Sequence, residues 1–260
     1  MERINQYTPT DASDDTVRII TAFLEHLPPD GKANLTSDLE SLKTDNQIRL
    51  HAKSLFRYLL VIMRLYRGIG VSYPRNGTED STDDCEDEKL KKECLERDGN
   101  KCTITGILDG DSRRPNDSGT RVVHTECAYI IPSPLGKREH DHRNKAIIWN
   151  TLNKYFPSLQ ELDFNQESIH EHRNVIIMWR EVHRLFRMLV FALEETDIEH
   201  TYRVKSYDPE WTWLIPSDRI TFQSNNQFEP PSPGLLRIHA SIAGILNESG
   251  KAREIQNLLW

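Results

Sequence analysis

Apolar residues at Ile19, Ile20, Phe23, Leu24 and Leu27 recur with a helical period and predict a helix over residues 12–27, ended by Pro28-Pro29-Asp30-Gly31. A second, longer stripe runs through Leu39, Leu42, Ile48, His51, Leu55, Tyr58, Leu59, Ile62 and Leu65. It predicts a helix that starts at the cap residue Thr36 or Ser37 and ends near Gly68-Ile69-Gly70. These two helices form an N-terminal helical layer. Residues 71–87 are acidic and rich in turn formers, which predicts a linker, followed by a short helix from Lys89 to Arg97.

Beyond Arg97 the pattern changes. Short runs at Lys101–Thr105, Thr120–His124, Val175–Met178, Val190–Leu193 and Thr201–Ser206 predict strands. Helical runs fall at Ile147–Asn153, Glu181–Met188, Leu235–Asn247 and Ala252–Leu259. The alternation in Trp211-Thr212-Trp213-Leu214 places two indoles on one strand face. The expected class is α+β and mainly helical, with residues 1–87 as a helical region plus linker and 88–260 as a mixed domain.

Composition removes several function classes. The longest apolar stretches, Phe56–Leu65 and Leu189–Leu193, are broken by arginine or too short to span a bilayer. The first residues lack the basic-then-apolar order of a secretory signal, so an intracellular protein is expected. Cysteines at 85, 94, 102 and 127 form no CxxC pair, which argues for free thiols and against a structural zinc site. The net charge of -7 disfavours a nucleic-acid partner, although it does not exclude a local basic groove. No GxGxxG or phosphate-binding loop is present, so no cofactor is expected.

The informative motifs are RDGNKCTITG at 97–106, TECAYIIPSPLG at 125–136, IWNTL at 148–152, FPSL at 156–159 and HRNVIIMWREVHRLF at 172–186. Further on stand YRVKSY at 202–207, LIPSDRI at 214–220 and LLRIHASIAGILNESGKA at 235–252. In this order and spacing they resemble the fungal HNH endonuclease-like family, over roughly residues 88–259 and centred on 94–186. Met178 and Val182 stand where that family has Leu, a conservative difference. The resemblance implies a ββα-metal (HNH-like) core in which a strand, a loop and a helix surround one divalent cation. It also implies a general-base histidine at the end of the first strand, an asparagine that fixes the site, and a helix histidine that meets metal or phosphate.

Carried onto this chain, the asparagine is Asn174 and the helix histidine is His183, with a spacing that can aim both into one cleft. The base position holds Tyr129, preceded by Ala128 rather than by an acid. A phenol with a pKa near 10 is a poor base at neutral pH. His124 lies five residues before Tyr129, on the opposite face of a continuous strand. His140 and His142 sit in a charged loop, and His170 and His172 alternate close to Asn174.

Three function classes follow. The leading expectation is an enzyme that has lost nuclease chemistry and acts on a small, largely apolar molecule by cofactor-independent cyclisation, including pericyclic closure, or isomerisation. Tyr129, Asn174 and His183 would be catalytic, and Trp179, His124 and His172 would bind substrate. The alternatives are a metal-dependent nuclease using a shifted histidine, with His183 and Asn174 facing a divalent cation, and a catalytically silent nucleic-acid or protein binding module. Beside these stand plainer roles: Tyr129 as a space filler, His183 as a packing residue, Asn174 as a turn staple, and Trp149 and Trp179 as core or rim aromatics.

Overall fold

The computed structural model describes residues 2–61, 81–114, 119–136, 142–223 and 227–252. A short helix α1 (Glu2–Asn5) precedes α2 (Thr16–His26), as the first stripe predicts. The second stripe is divided between two helices, not one. Pro29, far from only ending α2, opens α3 (Pro29–Ser41) at a position where its missing N–H costs nothing. The stripe then breaks at Leu42-Lys43-Thr44, and α4 (Asp45–Leu55) begins. Thr44 caps it: its hydroxyl accepts from Gln47 N at 3.2 Å, and Gln47 Oε1 accepts from Thr44 N at 3.1 Å. The signal at Thr36 and Ser37 therefore lies inside a helix, and the cap of the next one is Thr44. Past Leu55 the helix widens to a π-helical segment, Phe56–Val61. The expected end near Gly68–Gly70 and residues 71–80 of the expected linker lie outside the described residues. Residues 81–87, also expected as linker, are the first turns of helix α5 (Ser81–Arg97).

The stretch expected as a first strand, Lys101–Thr105, is a turn that contributes one bridge, Lys101 to Leu108. Gly106, at φ +69°, reverses the chain there. The strands that follow are β1 (Leu108–Asp109) and β2 (Val122–Val123), paired in parallel. The expected strand Thr120–His124 stops because the buried Asp109 carboxylate captures the next residue. It accepts from Thr125 N at 3.2 Å and Thr125 Oγ1 at 2.5 Å, so a new strand starts at Thr125.

That strand, β3 (Thr125–Tyr129), pairs antiparallel with β4 (Val175–Trp179), with Thr125 opposite Trp179 and Tyr129 opposite Val175. Between them lie α6 (His142–Tyr155) and the short α7 (Ser158–Glu161), and β4 runs straight into α8 (Arg180–Arg187). Side-chain alternation gives the hairpin two faces. Cys127, Tyr129, Val175 and Ile177 pack on Leu90, Cys94 and Leu95 of α5. Ala128, Ile176 and Met178 face the main core with Val182, Leu185 and Phe186 of α8. The β3–β4–α8 unit has the strand–strand–helix order that the resemblance implies, within an α+β fold.

Farther along, β5 (Phe191–Glu195), β6 (Thr201–Ser206) and β7 (Arg219–Thr221) form an antiparallel sheet, and β7 is a strand the pattern did not announce. Trp211 and Trp213 sit on a 3₁₀ helix (Pro209–Leu214), not on a strand, because Pro209 cannot supply a ladder N–H. Helix α9 (Pro233–Glu248) packs against β5 and α2. One continuous core joins buried residues of α2–α4 with those of α6, β5 and α9. From residue 253 the expected last helix lies outside the described residues.

Arg97 ties α5 to this arrangement. Its guanidinium, 1% exposed, donates to Asp98 at 2.6 and 2.8 Å and to the carbonyls of His172 (2.8 Å), Val175 (2.8 Å) and Glu229 (3.0 Å). Asp98 in turn accepts from Ile177 N and Thr103 Oγ1, both at 3.2 Å. Breaking one side of a buried, hydrogen-bonded pair strands the other charge, so Arg97→Ala should cost about 3–5 kcal/mol in urea melts. A loss below about 1 kcal/mol would contradict this role for Arg97.

Candidate functional site

Asn174 is fully buried just before β4, and its amide is used by backbone. Its Oδ1 accepts from Ile131 N at 2.8 Å, and Nδ2 donates to Ile131 O at 3.0 Å and Ile169 O at 2.9 Å. Its own carbonyl accepts from Ile130 N at 2.9 Å. The side chain therefore joins the end of β3 to the start of β4.

At that same end of the hairpin Tyr129 points its hydroxyl at His170 Nδ1, 2.9 Å away, with the two rings edge to face. His170 and His172 do not alternate along an extended segment, as expected, because two successive 3₁₀ turns, Ser168–His170 and His172–Asn174, carry them. They reach different partners: His172 Nε2 meets Glu93 of α5 at 2.9 Å, and its ring stacks on Phe228. His124 is exposed at the break between β2 and β3, where its carbonyl accepts from Arg180 N. His140 lies outside the described residues, and so does the side chain of His142.

His183 is placed by the first turn of α8. Its Nδ1 pairs with Glu126 Oε2 at 2.9 Å, and Glu126 Oε1 accepts from Arg180 Nε at 2.7 Å. Residues 126 and 129 differ by three, so they sit on opposite faces of β3 and about 10 Å apart along it. Tyr129, Asn174 and His183 thus lie on β3, on the turn that leads into β4 and on α8, and their side chains serve three different contacts.

Around His183 lie arginines braced by indoles. Arg184 lies over the Trp211 ring at 5.1 Å, and Arg121 over the half-buried Trp179 at 5.8 Å. Arg180 and Arg184 on this helix have acidic partners, Glu126 at 2.7 Å and Glu181 at 3.4 Å. Among the described residues, no three His, Cys, Asp or Glu side chains converge near His183. One imidazole and one carboxylate are too few donors for a protein-held metal site, so the described residues around His183 do not fit one.

Glu126 escaped the sequence reading, which asked only for an acid next to Tyr129 and found Ala128. Period-two alternation held the signal, because Glu126 shares the face of Ala128, the face that α8 covers. The Tyr129–His170 contact had no sequence signal beyond proximity to Asn174.

The hydrogen bond from His183 holds the Glu126 carboxyl well below its ordinary 4.5, at about 2; burial opposes this and Arg180 assists. A depressed carboxylate adds stability above its ordinary value and loses it as pH falls through the folded one. Glu126→Gln should therefore flatten the acid limb of the stability curve between about pH 4.5 and about 2. Urea melts across that window check it, and an unchanged slope would show that the pair contributes nothing.

Two general properties fit these observations. No helix among the described residues is long and apolar enough to cross a membrane. Cys94 and Cys102 are buried free thiols, with Cys94 pushed up to about 12 by burial. No curated protein and no solved structure matches the chain. Residues 102–194, which hold β3, β4 and α8, match the family model described as HNH endonuclease, and this stretch is HNH-like.

Proposed function

We propose that the protein acts on the phosphodiester backbone of nucleic acid, with His183 as the proton-transferring group and Glu126 as the residue that holds it. The observation that carries this reading is the 2.9 Å contact between Glu126 and His183 Nδ1 on an arginine-bearing helix face. A carboxylate on Nδ1 fixes the tautomer and plane of an imidazole and raises the basicity of Nε2. His183 then works through Nε2, taking the proton of a water that attacks phosphorus as the P–O bond to the leaving oxygen breaks.

Arg180 and Arg184 supply the planar, doubly donating groups that suit phosphate oxygens. Trp211 holds Arg184 in place, which reduces the entropy lost on binding. Asn174 is a positioning residue in this reading, since it sets the hairpin that presents Glu126. The match to HNH endonucleases over 102–194 supports nuclease-type chemistry. The small-molecule cyclase or isomerase expected from Tyr129 draws no support from this arrangement. It required Tyr129, Asn174 and His183 to converge on one ligand, and each is committed elsewhere.

Supercoiled-plasmid nicking tests the proposal, run separately with Mg²⁺, Mn²⁺, Ni²⁺ and chelator. Wild type should nick under at least one condition. His183→Ala should lower the rate by about 100-fold or more, and Glu126→Gln by about tenfold. Tyr129→Phe should stay within about twofold, since Tyr129 plays no part in this proton transfer. No nicking in any condition, or equal rates for wild type and His183→Ala, would refute it. Salt-steep binding without cleavage would keep the phosphate contact and remove the catalytic claim.

A further inference from the structure

The last residues of α2 meet the last residue of α9. His26 Nε2 lies 2.5 Å from Glu248 Oε2, and Glu25 reaches the same Glu248 carboxylate. The three side chains offer ligand atoms within 4.8 Å of one another. One is an imidazole and two are carboxylates, carried by two different helices.

Two features mark this as more than a surface ion pair. Gly244 stands one turn before Glu248 in α9, where a Cβ would run into the His26 ring. Glycine inside a helix costs roughly 1 kcal/mol against alanine, and here its bare backbone seats the imidazole. Beside Glu25 and His26 opens a cavity of about 220 Å³, walled by Glu194, Lys205, Tyr207 and Arg237. The cations in that wall are matched to their own acids: Lys205 lies 3.1 Å from Glu194, and Arg237 3.0 Å from Glu195.

Glu25 and Glu248 offer carboxylate oxygens within 4.8 Å of one another, and two bare carboxylates that close repel unless a proton or a cation lies between them.

We infer that Glu25, His26 and Glu248 form a binding site for a divalent cation of the zinc class, which clips α2 to α9. The mixed nitrogen and oxygen donors favour zinc over calcium, which takes oxygen alone. Zinc bonds of about 2 Å put neighbouring donors about 3.3 Å apart, so His26 Nε2 and Glu248 Oε2, 2.5 Å apart without the ion, part slightly to admit it. The cavity supplies room for the water that completes a tetrahedron. This site is independent of the chemistry assigned to His183.

Calorimetric titration of the metal-stripped full chain with zinc chloride, paired with thermal melts, tests it. Wild type and His183→Ala should bind one zinc ion and gain several degrees in Tm when it is added. His26→Gln and Glu248→Gln should each weaken binding by about tenfold or more and lose the Tm gain, with their zinc-free melts near wild type. The inference is overturned if wild type binds no zinc, or if both variants bind it as wild type does. Loss of binding in His183→Ala alone would overturn it too, because the ion would then sit at α8.

Discussion

The side-chain amide of Asn174 closes the end of the β3–β4 hairpin, and the register of that hairpin follows from it. With both polar atoms of the amide bonded to the backbone of Ile131 and Ile169, Tyr129 is held opposite Val175. A slip of one residue would turn every side chain to the other face. Glu126 would then leave α8, and Cys127 would leave the apolar contact with α5. The buried Arg97–Asp98 pair acts at the same seam, since it holds the carbonyls of His172 and Val175 and the N–H of Ile177. A network of polar groups with its hydrogen bonds made in a dry interior tolerates one geometry and penalises the rest.

From that register β3 presents two residues that each hold an imidazole through Nδ1: Tyr129 holds His170, and Glu126 holds His183. Only the second partner is a carboxylate, able to stabilise a positive charge that develops on the ring. The two pairs differ also in setting. His170 stands against Tyr129 on the α5 face, whereas His183 stands among the arginines of α8. Tyrosine at 129 therefore does not empty the hairpin of acid–base groups. It leaves a Glu–His dyad on the other face.

Much of the fold was legible because apolar periodicity and ordered motifs survive without tertiary information. The helices at 16–26, 180–187 and 233–248 and the strand at 201–206 fall where their patterns put them. The failures are those of local signals overruled by one side chain. Asp109 bonding Thr125 ended a strand early, and the Thr44 cap divided a stripe that looked continuous. At the site, the family resemblance singled out His183 and Asn174, but it did not reach their contact partners. Which backbone groups Asn174 would bond, and that Glu126 would lie under His183, depend on a pairing register that 45 intervening residues separate in sequence. The tryptophans of 211–213 misled because alternation alone cannot distinguish a strand from a short 3₁₀ turn opened by proline.

The central claim is that His183, held by Glu126 through Nδ1, presents Nε2 to a phosphodiester. The ring-nitrogen NMR spectrum of ¹⁵N-histidine protein tests it most directly, recorded before and after a short oligonucleotide is added. The account predicts a protonated His183 Nδ1 in both spectra and a shift of His183 Nε2 on addition, both abolished in Glu126→Gln. A His183 ring protonated on Nε2 alone, or one that does not respond to the oligonucleotide, would contradict it.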